Sequence, residues 1–454
     1  MNVAVIDIGK TNAKVILYDL EAAAEKDVRS TRNAVTGSDP YPHFEVDDLF
    51  AFILGALAEL HKAYGVDAIS VTTHGATATL LKKDGSLALP VLDYEHDGPD
   101  ETREAYESVR PPFAITGSPH LAVGLNIGAQ LFWQKTRFPE AFSDIATVLP
   151  YPQYWGFRLT GRLASEVTSW GCHSDLWSPR AKTFSPLVEA LGLEGKMAPL
   201  VRADEELGAI LPEIAEKTGL SSDTPVYAGI HDSNASLLPH LWSRKSPFAV
   251  VSTGTWVVVM AVGGHPPMLD ETRDTLINVN AFGDPVPSAR FMGGRVFEVA
   301  APKGDVAVTD EDRTAMLKRG VMLMPSVLGD TGPFQGIIGG WTIDEAKLTP
   351  GMRLLGVCWY LALMTGVCLE LTGASGPVIV EGPFSENRDF LAMLAAATGR
   401  PVEKSPGSGT STGTAGLVTG GPKLKAFAPH PEPLHDLDAL NRYAEAWREN
   451  LPAV

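Results

Sequence analysis

The chain has 454 residues, 44% of them hydrophobic and 20% charged, enough apolar material for roughly two to three domains with buried cores. Asp and Glu outnumber Lys and Arg by 54 to 37, a formal net charge of -17. That surface repels phosphate backbones and anionic bilayers, so no nucleic-acid and no membrane partner is expected.

Val3-Ala4-Val5-Ile6-Asp7-Ile8 predicts an apolar strand, followed by the turn Gly9-Lys10-Thr11-Asn12 and a second strand through Leu17. Glycine in such a turn lets backbone N–H groups close on a phosphate with no Cβ in the way. Residues 44–62 start acidic and carry Leu49, Phe50, Ile53, Leu54, Leu57 and Leu60 on one stripe, which predicts a helix. The β-branched run 68–72 predicts a strand ending at Thr73-His74-Gly75. Strand, helix and strand in this order predict an α/β layer. Ligand sites in such sheets lie at the carboxyl ends of strands, where His74 and Gly75 stand.

Leu89-Pro90-Val91-Leu92 predicts a further strand, delivering Asp93-Tyr94-Glu95. Aromatic residues crowd 120–180, which reads as a helical insert. Residues 223–230 predict a strand arriving at His231-Asp232, with a helix starting near Asn234, and 241–247 predict a hinge between a domain 1–240 and a domain 241–454. Phe248 to Val259 then repeats the opening hairpin around Gly254-Thr255, about half a chain after Gly9, so the molecule reads as two related halves. Residues 377–381 predict a strand, Gly382 a turn, and 387–398 a helix stopped by Gly399. The Gly-, Ser- and Thr-rich run 407–421 reads either as a flexible loop or as small residues that let a helix approach a nucleotide base, and 436–450 as a closing amphipathic helix.

The cysteines Cys172, Cys358 and Cys368 fit neither a disulfide framework nor a Cys-x-x-Cys knuckle and read as buried thiols of a reducing, cytoplasmic setting. With a strand at its start the sequence is expected to carry no leader, and no apolar run is expected to reach the about 18 residues of a bilayer crossing.

Asp7 precedes the first turn. A carboxylate beside phosphates repels them unless a cation lies between, so Asp7 suggests a water-shared Mg²⁺, its bland role being that of a turn former. Lys14 either caps a phosphate charge or is simply solvated. Asp232 is the sharpest candidate, because phosphoryl transfer to an alcohol needs a carboxylate to take the hydroxyl proton; helix capping is its other reading. His74 and His231 read either as site residues or as satisfied structural histidines. A thiol–imidazole pair at Cys172-His173 is disfavoured, since adjacent side chains point apart.

With Asp7-Ile8-Gly9-Lys10-Thr11-Asn12, Ser252-Thr253-Gly254-Thr255-Trp256, Arg158-Leu159-Thr160-Gly161 and Gly229-Ile230-His231-Asp232 in this order, the chain resembles the FGGY carbohydrate kinases over nearly its whole length. The resemblance implies two actin-like, ribonuclease-H-like α/β domains with an interdomain active-site cleft. It implies Asp232 as the base, Asp7 as the metal ligand, and ATP with Mg²⁺ as cofactors. Gly9, Lys10, Thr11, Asn12, Lys14, Gly254, Thr255, Gly382 and Asn387 would bind the nucleotide; His74, Gly75, Asp93, Glu95, His231 and Asp232 would bind the sugar. His231-Asp232 with Gly254-Thr255-Trp256 look most like the rhamnulokinase and fuculokinase branch, which implies an L-rhamnulose- or L-fuculose-type ketose, with xylulose or ribulose as the alternative. Other classes on the same scaffold are an actin-like ATP hydrolase and a silent sugar sensor. A homodimer is left open.

Overall fold

The computed structural model describes residues 1–37, 39–265, 268–405, 409–421, 430–431 and 436–452. They fall into two units. The first holds 1–244, 277–285 and 409–421; the second holds 245–276, 286–405, 430–431 and 436–452. A single cut at 240/241 was expected from the sequence; here the chain crosses several times.

In the first unit, β1 (Asn2–Ile8) pairs antiparallel with β2 (Asn12–Asp19), which pairs antiparallel with β3 (Ala24–Arg32). Helix α1 (Val46–Tyr64) returns the chain to β4 (Ala68–Thr73), parallel to β1 on its other side. Strand Pro225–Tyr227 continues the sheet in parallel beyond β4. Leu49, Ile53, Leu57 and Leu60 of α1 are buried against Ala4, Ile6, Val15 and Leu17, as their helical spacing demands. Full burial of each such leucine contributes about 1.5–3 kcal/mol. Helix α2 (Asp232–Ser243) starts at Asp232, earlier than Asn234, and runs into the expected hinge.

The second unit repeats the pattern. Strand β5 (Phe248–Thr253) pairs antiparallel with β6 (Val257–Val262), which pairs antiparallel with Pro285–Phe291. On the other side β5 runs parallel to β7 (Val378–Glu381), itself parallel to Val402–Lys404. Between β6 and β7 lies α3 (Pro350–Leu371), buried nearly all round. Helix α4 (Arg388–Thr398) ends at Gly399 in the left-handed conformation, and the amphipathic α6 (Leu437–Glu449) packs Tyr443 and Trp447 into the same core. Each sheet thus sets a central strand between an antiparallel pair and a parallel pair, which is the actin-like duplication.

Four expectations need correction. Residues 89–92 form no strand: Pro90 has no N–H to give a ladder, and only Leu92 bridges, to His43. The aromatic insert holds helices Ile127–Arg137 and Tyr151–Thr160 but also strand Thr147–Pro150, antiparallel to Ala78–Leu81. Helix α3 is, by length and composition, apolar enough to cross a bilayer, with a mean hydropathy of 1.8 over 18 residues. Its charges sit near the ends, at Arg353 and Glu370, and 83% of that window is buried in protein, so it is the core helix of its unit. Lastly, Gly409–Gly416 is a helix, α5, packed on α2. A Cβ on Gly413 would lie 1.9 Å from the Ala235 carbonyl, so this glycine lets α2 pack closely, and this stretch is not a flexible loop. Residues 407 and 408 of that run lie outside the described residues.

Candidate active site

In the first unit the carboxyl ends of β1 and β4 lie side by side, with Asp7 opposite Thr72 on one flank and Lys14 on the other. Past Asp7 the chain turns sharply: Gly9 N–H donates to the Asn12 carbonyl at 2.9 Å, and Asn33 Nδ2 donates to the Gly9 carbonyl at 2.8 Å. Thr11, Asn12 and Lys14 are exposed, so the turn offers its face to solvent. Burial pushes the Asp7 carboxyl up to about 6; nearby Asp232 adds to this and Lys14 opposes it.

His74 follows β4, its N–H donating to the Ile8 carbonyl at 2.8 Å. Its ring is buried against Phe44, Tyr94 and Tyr151, and burial pushes its pKa down to about 4, so it is neutral. His74 Nδ1 lies 2.9 Å from the Gly75 carbonyl, while Nε2 is buried with no hydrogen-bond partner among the described residues. Gly75 leaves room for the second histidine, since a Cβ there would lie 2.8 Å from His231 Nε2.

Asp232 is delivered by a crowded turn. Gly229 has φ +78, and a Cβ on it would lie 2.2 Å from the Val71 carbonyl, so only glycine fits. Ile230 and His231 then pair in parallel with Thr72 and Thr73, and α2 begins at Asp232. His231 N–H donates to Thr168 Oγ1 at 3.1 Å, and Thr168 donates to buried Glu166. Asp232 Oδ1 lies 3.1 Å from His231 Nε2 and accepts the Ser233 N–H at 2.6 Å. Burial opposes ionisation of Asp232, but the His231 hydrogen bond and charge and the Ser233 N–H outweigh it and hold the carboxyl below its ordinary range. The helix N-terminus favours the same charge. An ionised, partly exposed carboxylate braced by an imidazole can take a proton from an alcohol.

Asp93 and Glu95 join this cluster through Lys10, whose ammonium bonds Asp93 Oδ1 and stands 3.4 Å from Glu95 Oε2. Lys10, expected on a nucleotide phosphate, here has its ammonium paired with these two carboxylates. Sequence reading passed over Phe44, Thr168 and Glu166; a carboxylate two residues before a hydroxyl, Glu166-x-Thr168, was the available signal.

In the second unit Gly254 N–H donates to the Trp256 carbonyl at 2.9 Å, closing the matching turn, and Thr255 is exposed. The turn is hemmed by glycines. A Cβ on Gly294 would lie 2.3 Å from the Gly254 carbonyl, and one on Gly382, at φ +79, 1.9 Å from the Thr253 carbonyl. Asn387 caps α4 by accepting the Phe390 N–H at 2.9 Å, and its amide reaches Cys358 Sγ at 3.1 Å, so its side chain is engaged within its own unit.

Residues 2–239 match the N-terminal domain of the FGGY family of carbohydrate kinases, and residues 245–426 match a carbohydrate kinase FGGY C-terminal domain. L-fuculokinase from Salmonella typhi is 26% identical over 271 residues, 58% of this chain and 57% of that protein. Xylulose kinase from Escherichia coli K12 is 27% identical over 266 residues, 57% of this chain and 53% of that protein. The chain spans about half the length of the curated relatives it matches. The crystal structure of a carbohydrate kinase from Novosphingobium aromaticivorans is 37% identical, covers 99% of this chain and 100% of that one, and superposes with a TM-score of 0.89.

Proposed function

The chain belongs to the FGGY family of carbohydrate kinases, and from that premise we propose that it moves the γ-phosphoryl group of ATP to a primary hydroxyl of a ketose, with Asp232 as general base. The carrying observation is the Asp232 carboxylate, kept ionised at the start of α2 and braced by His231, in the same neighbourhood as Asp7 and the Gly9 turn. The sugar O–H bond breaks as its oxygen bonds to phosphorus; the proton goes to Asp232, and the bridging P–O bond breaks to leave ADP. Neutral His74, His231 and Asp93 are the proposed hydroxyl partners. Thr255 and the backbone of the two glycine turns are the proposed phosphate partners.

Asp7 and Asp232 are close enough to raise the Asp7 carboxyl, a cost that a divalent cation relieves. Among the described residues no group of three or more His, Cys, Asp or Glu side chains could cage a metal. A Mg²⁺ ion would therefore rest on Asp7, water and substrate phosphates, where it supplies charge neutralisation.

A deoxyketohexose of the L-rhamnulose or L-fuculose type is the favoured acceptor. The relatives named for xylulose keep a ketopentose as the second reading. An ATP-consumption assay over L-fuculose, L-rhamnulose, D- and L-xylulose and D- and L-ribulose tests both. One ketose should raise turnover well above the sugar-free rate. Fast ATP loss that no sugar accelerates would replace the kinase reading with a hydrolase.

A further inference from the structure

We propose that Lys10 is a sugar-site residue and not a phosphate ligand, and that its pairing with Asp93 and Glu95 tunes the site to uncharged polyhydroxy sugars and against sugar acids. The inference rests on the kinase reading for there being a sugar at all.

The geometry begins with where the ammonium goes. Lys10 stands on the phosphate-type turn, yet Nζ bonds Asp93 across 83 positions of sequence and lies 3.4 Å from Glu95. It also sits 5.1 Å from the centre of the Phe44 ring and 5.2 Å from that of Tyr94. Those same rings flank His74, at 5.3 Å and 5.2 Å. Lys10 and His74 therefore stand against the same two rings, and the His74 Nε2 is buried with no hydrogen-bond partner among the described residues. A buried imidazole nitrogen with no partner is costly, and it points to a polar ligand. The Lys10 and Asp93 side chains are 20% and 10% exposed, so the pair is still reachable.

The charges decide the ligand class. Lys10 faces two carboxylates, and Asp7 and Asp232 neighbour each other in the same unit; Lys14 stands opposite Asp7 in the β1–β2 ladder, and His231 lies 3.1 Å from Asp232. A sugar carboxylate entering here meets an excess of like charge and an ammonium already paired. A neutral sugar meets a better match. An ammonium has three N–H donors, so a third remains for a hydroxyl oxygen. Asp93 Oδ1 is taken by Lys10 and by the Glu95 N–H at 3.1 Å, which leaves Oδ2 to accept from a neighbouring hydroxyl. Adjacent donor and acceptor suit a vicinal diol, and the rings suit its C–H faces.

Isothermal titration of the wild type with the ketoses above and with gluconate, without nucleotide, tests the class directly. A ketose should bind at least about tenfold more tightly than gluconate. Lys10→Met should weaken ketose binding about 10- to 100-fold, the loss expected for one hydrogen bond to a charged group, while leaving the KM for ATP within about twofold. Asp93→Asn with Glu95→Gln should narrow the gap between ketose and gluconate, and carries the test if Lys10→Met melts at assay temperature. The proposal is overturned if Lys10→Met raises the KM for ATP and spares ketose binding, if gluconate binds as well as any ketose, or if the wild type binds neither. Ketose binding of this pattern without phosphoryl transfer would sink the kinase reading and leave this one standing.

Discussion

The two glycine hairpins occupy the same place in their sheets and carry different chemistry. Each joins the central strand to its antiparallel neighbour, and each is closed by a glycine N–H bonded 2.9 Å to the carbonyl two or three residues on. Before the first glycine stands Asp7; at the equivalent position of the second stands Ser252. The parallel neighbour of Asp7 is Thr72, and that of Ser252 is Glu381, whose carbonyl accepts from Thr253. The first turn is thus surrounded by ionisable side chains, Asp7, Asp232, His74 and Lys10. The second is built mainly from backbone, hydroxyls and close-packed glycine, with the Glu381 carboxylate accepting from Ser405 and Trp256 lying 4.7 Å from the Arg290 guanidinium. The same scaffold occurs twice, and the proposed proton chemistry falls on one copy only. We expect the first hairpin to govern turnover and the second to govern nucleotide affinity.

Asp232→Asn should break the first side of that contrast most severely. The change keeps shape and removes the proton acceptor, so turnover should fall about 10²- to 10⁴-fold with sugar binding largely intact. A variant that keeps more than about a tenth of wild-type turnover would show that Asp232 is not the base.

Thr255→Val probes the other side and should cost less. Removing one hydroxyl from a contact to a charged phosphate loses about 1–3 kcal/mol, read as a raised KM for ATP. Unchanged ATP kinetics would leave the second turn as a structural repeat with no role in affinity.

The smallest effect is expected in stability, at Glu166 behind the Asp232 turn. Burial pushes this carboxyl up from 4.5 to about 8, with its bonds from Thr168 opposing the shift. The folded protein then binds a proton that the unfolded chain releases, so this stabilisation is complete below about pH 4.5 and is lost as pH rises through about 8. Glu166→Gln, neutral at every pH, should flatten the fall of Tm between pH 5 and pH 9. Parallel Tm curves for the two proteins would mean that Glu166 is not held protonated.

Strand-forming residues that flank a glycine were legible in sequence, because period and composition agree there; 3–8, 12–17, 248–253 and 378–381 all emerge as strands. The stripe of α1 and the glycine stop of α4 were equally plain. Elements set by long-range contact were not. Residues 89–92 have strand composition, but Pro90 and the pairing of Phe44 N–H with the Val91 carbonyl reduce them to a bridge. Helix α3 hides its length behind Gly, Thr and Cys, which suit a helix packed on every side. In the site, Asp7, His74 and Asp232 could be named from their strand ends. The destination of the Lys10 side chain could not, because a lysine's reach is decided by carboxylates far away in the chain.

Helix α5 has a consequence for how the protein is made. It lies against α2 closely enough that Gly413 has no room for a side chain, and Thr410 bonds Ser236 across 174 positions. The helix that presents Asp232 therefore lacks its packing partner until Thr410, 174 positions after Ser236, has been synthesised. Ala235, Leu238 and Leu417 share one small buried cluster, so a nascent chain stopped short of α5 leaves part of that apolar surface bare. The packing around α2 is complete only once α5 has emerged, and a polypeptide stopped before it presents Asp232 on a less supported helix.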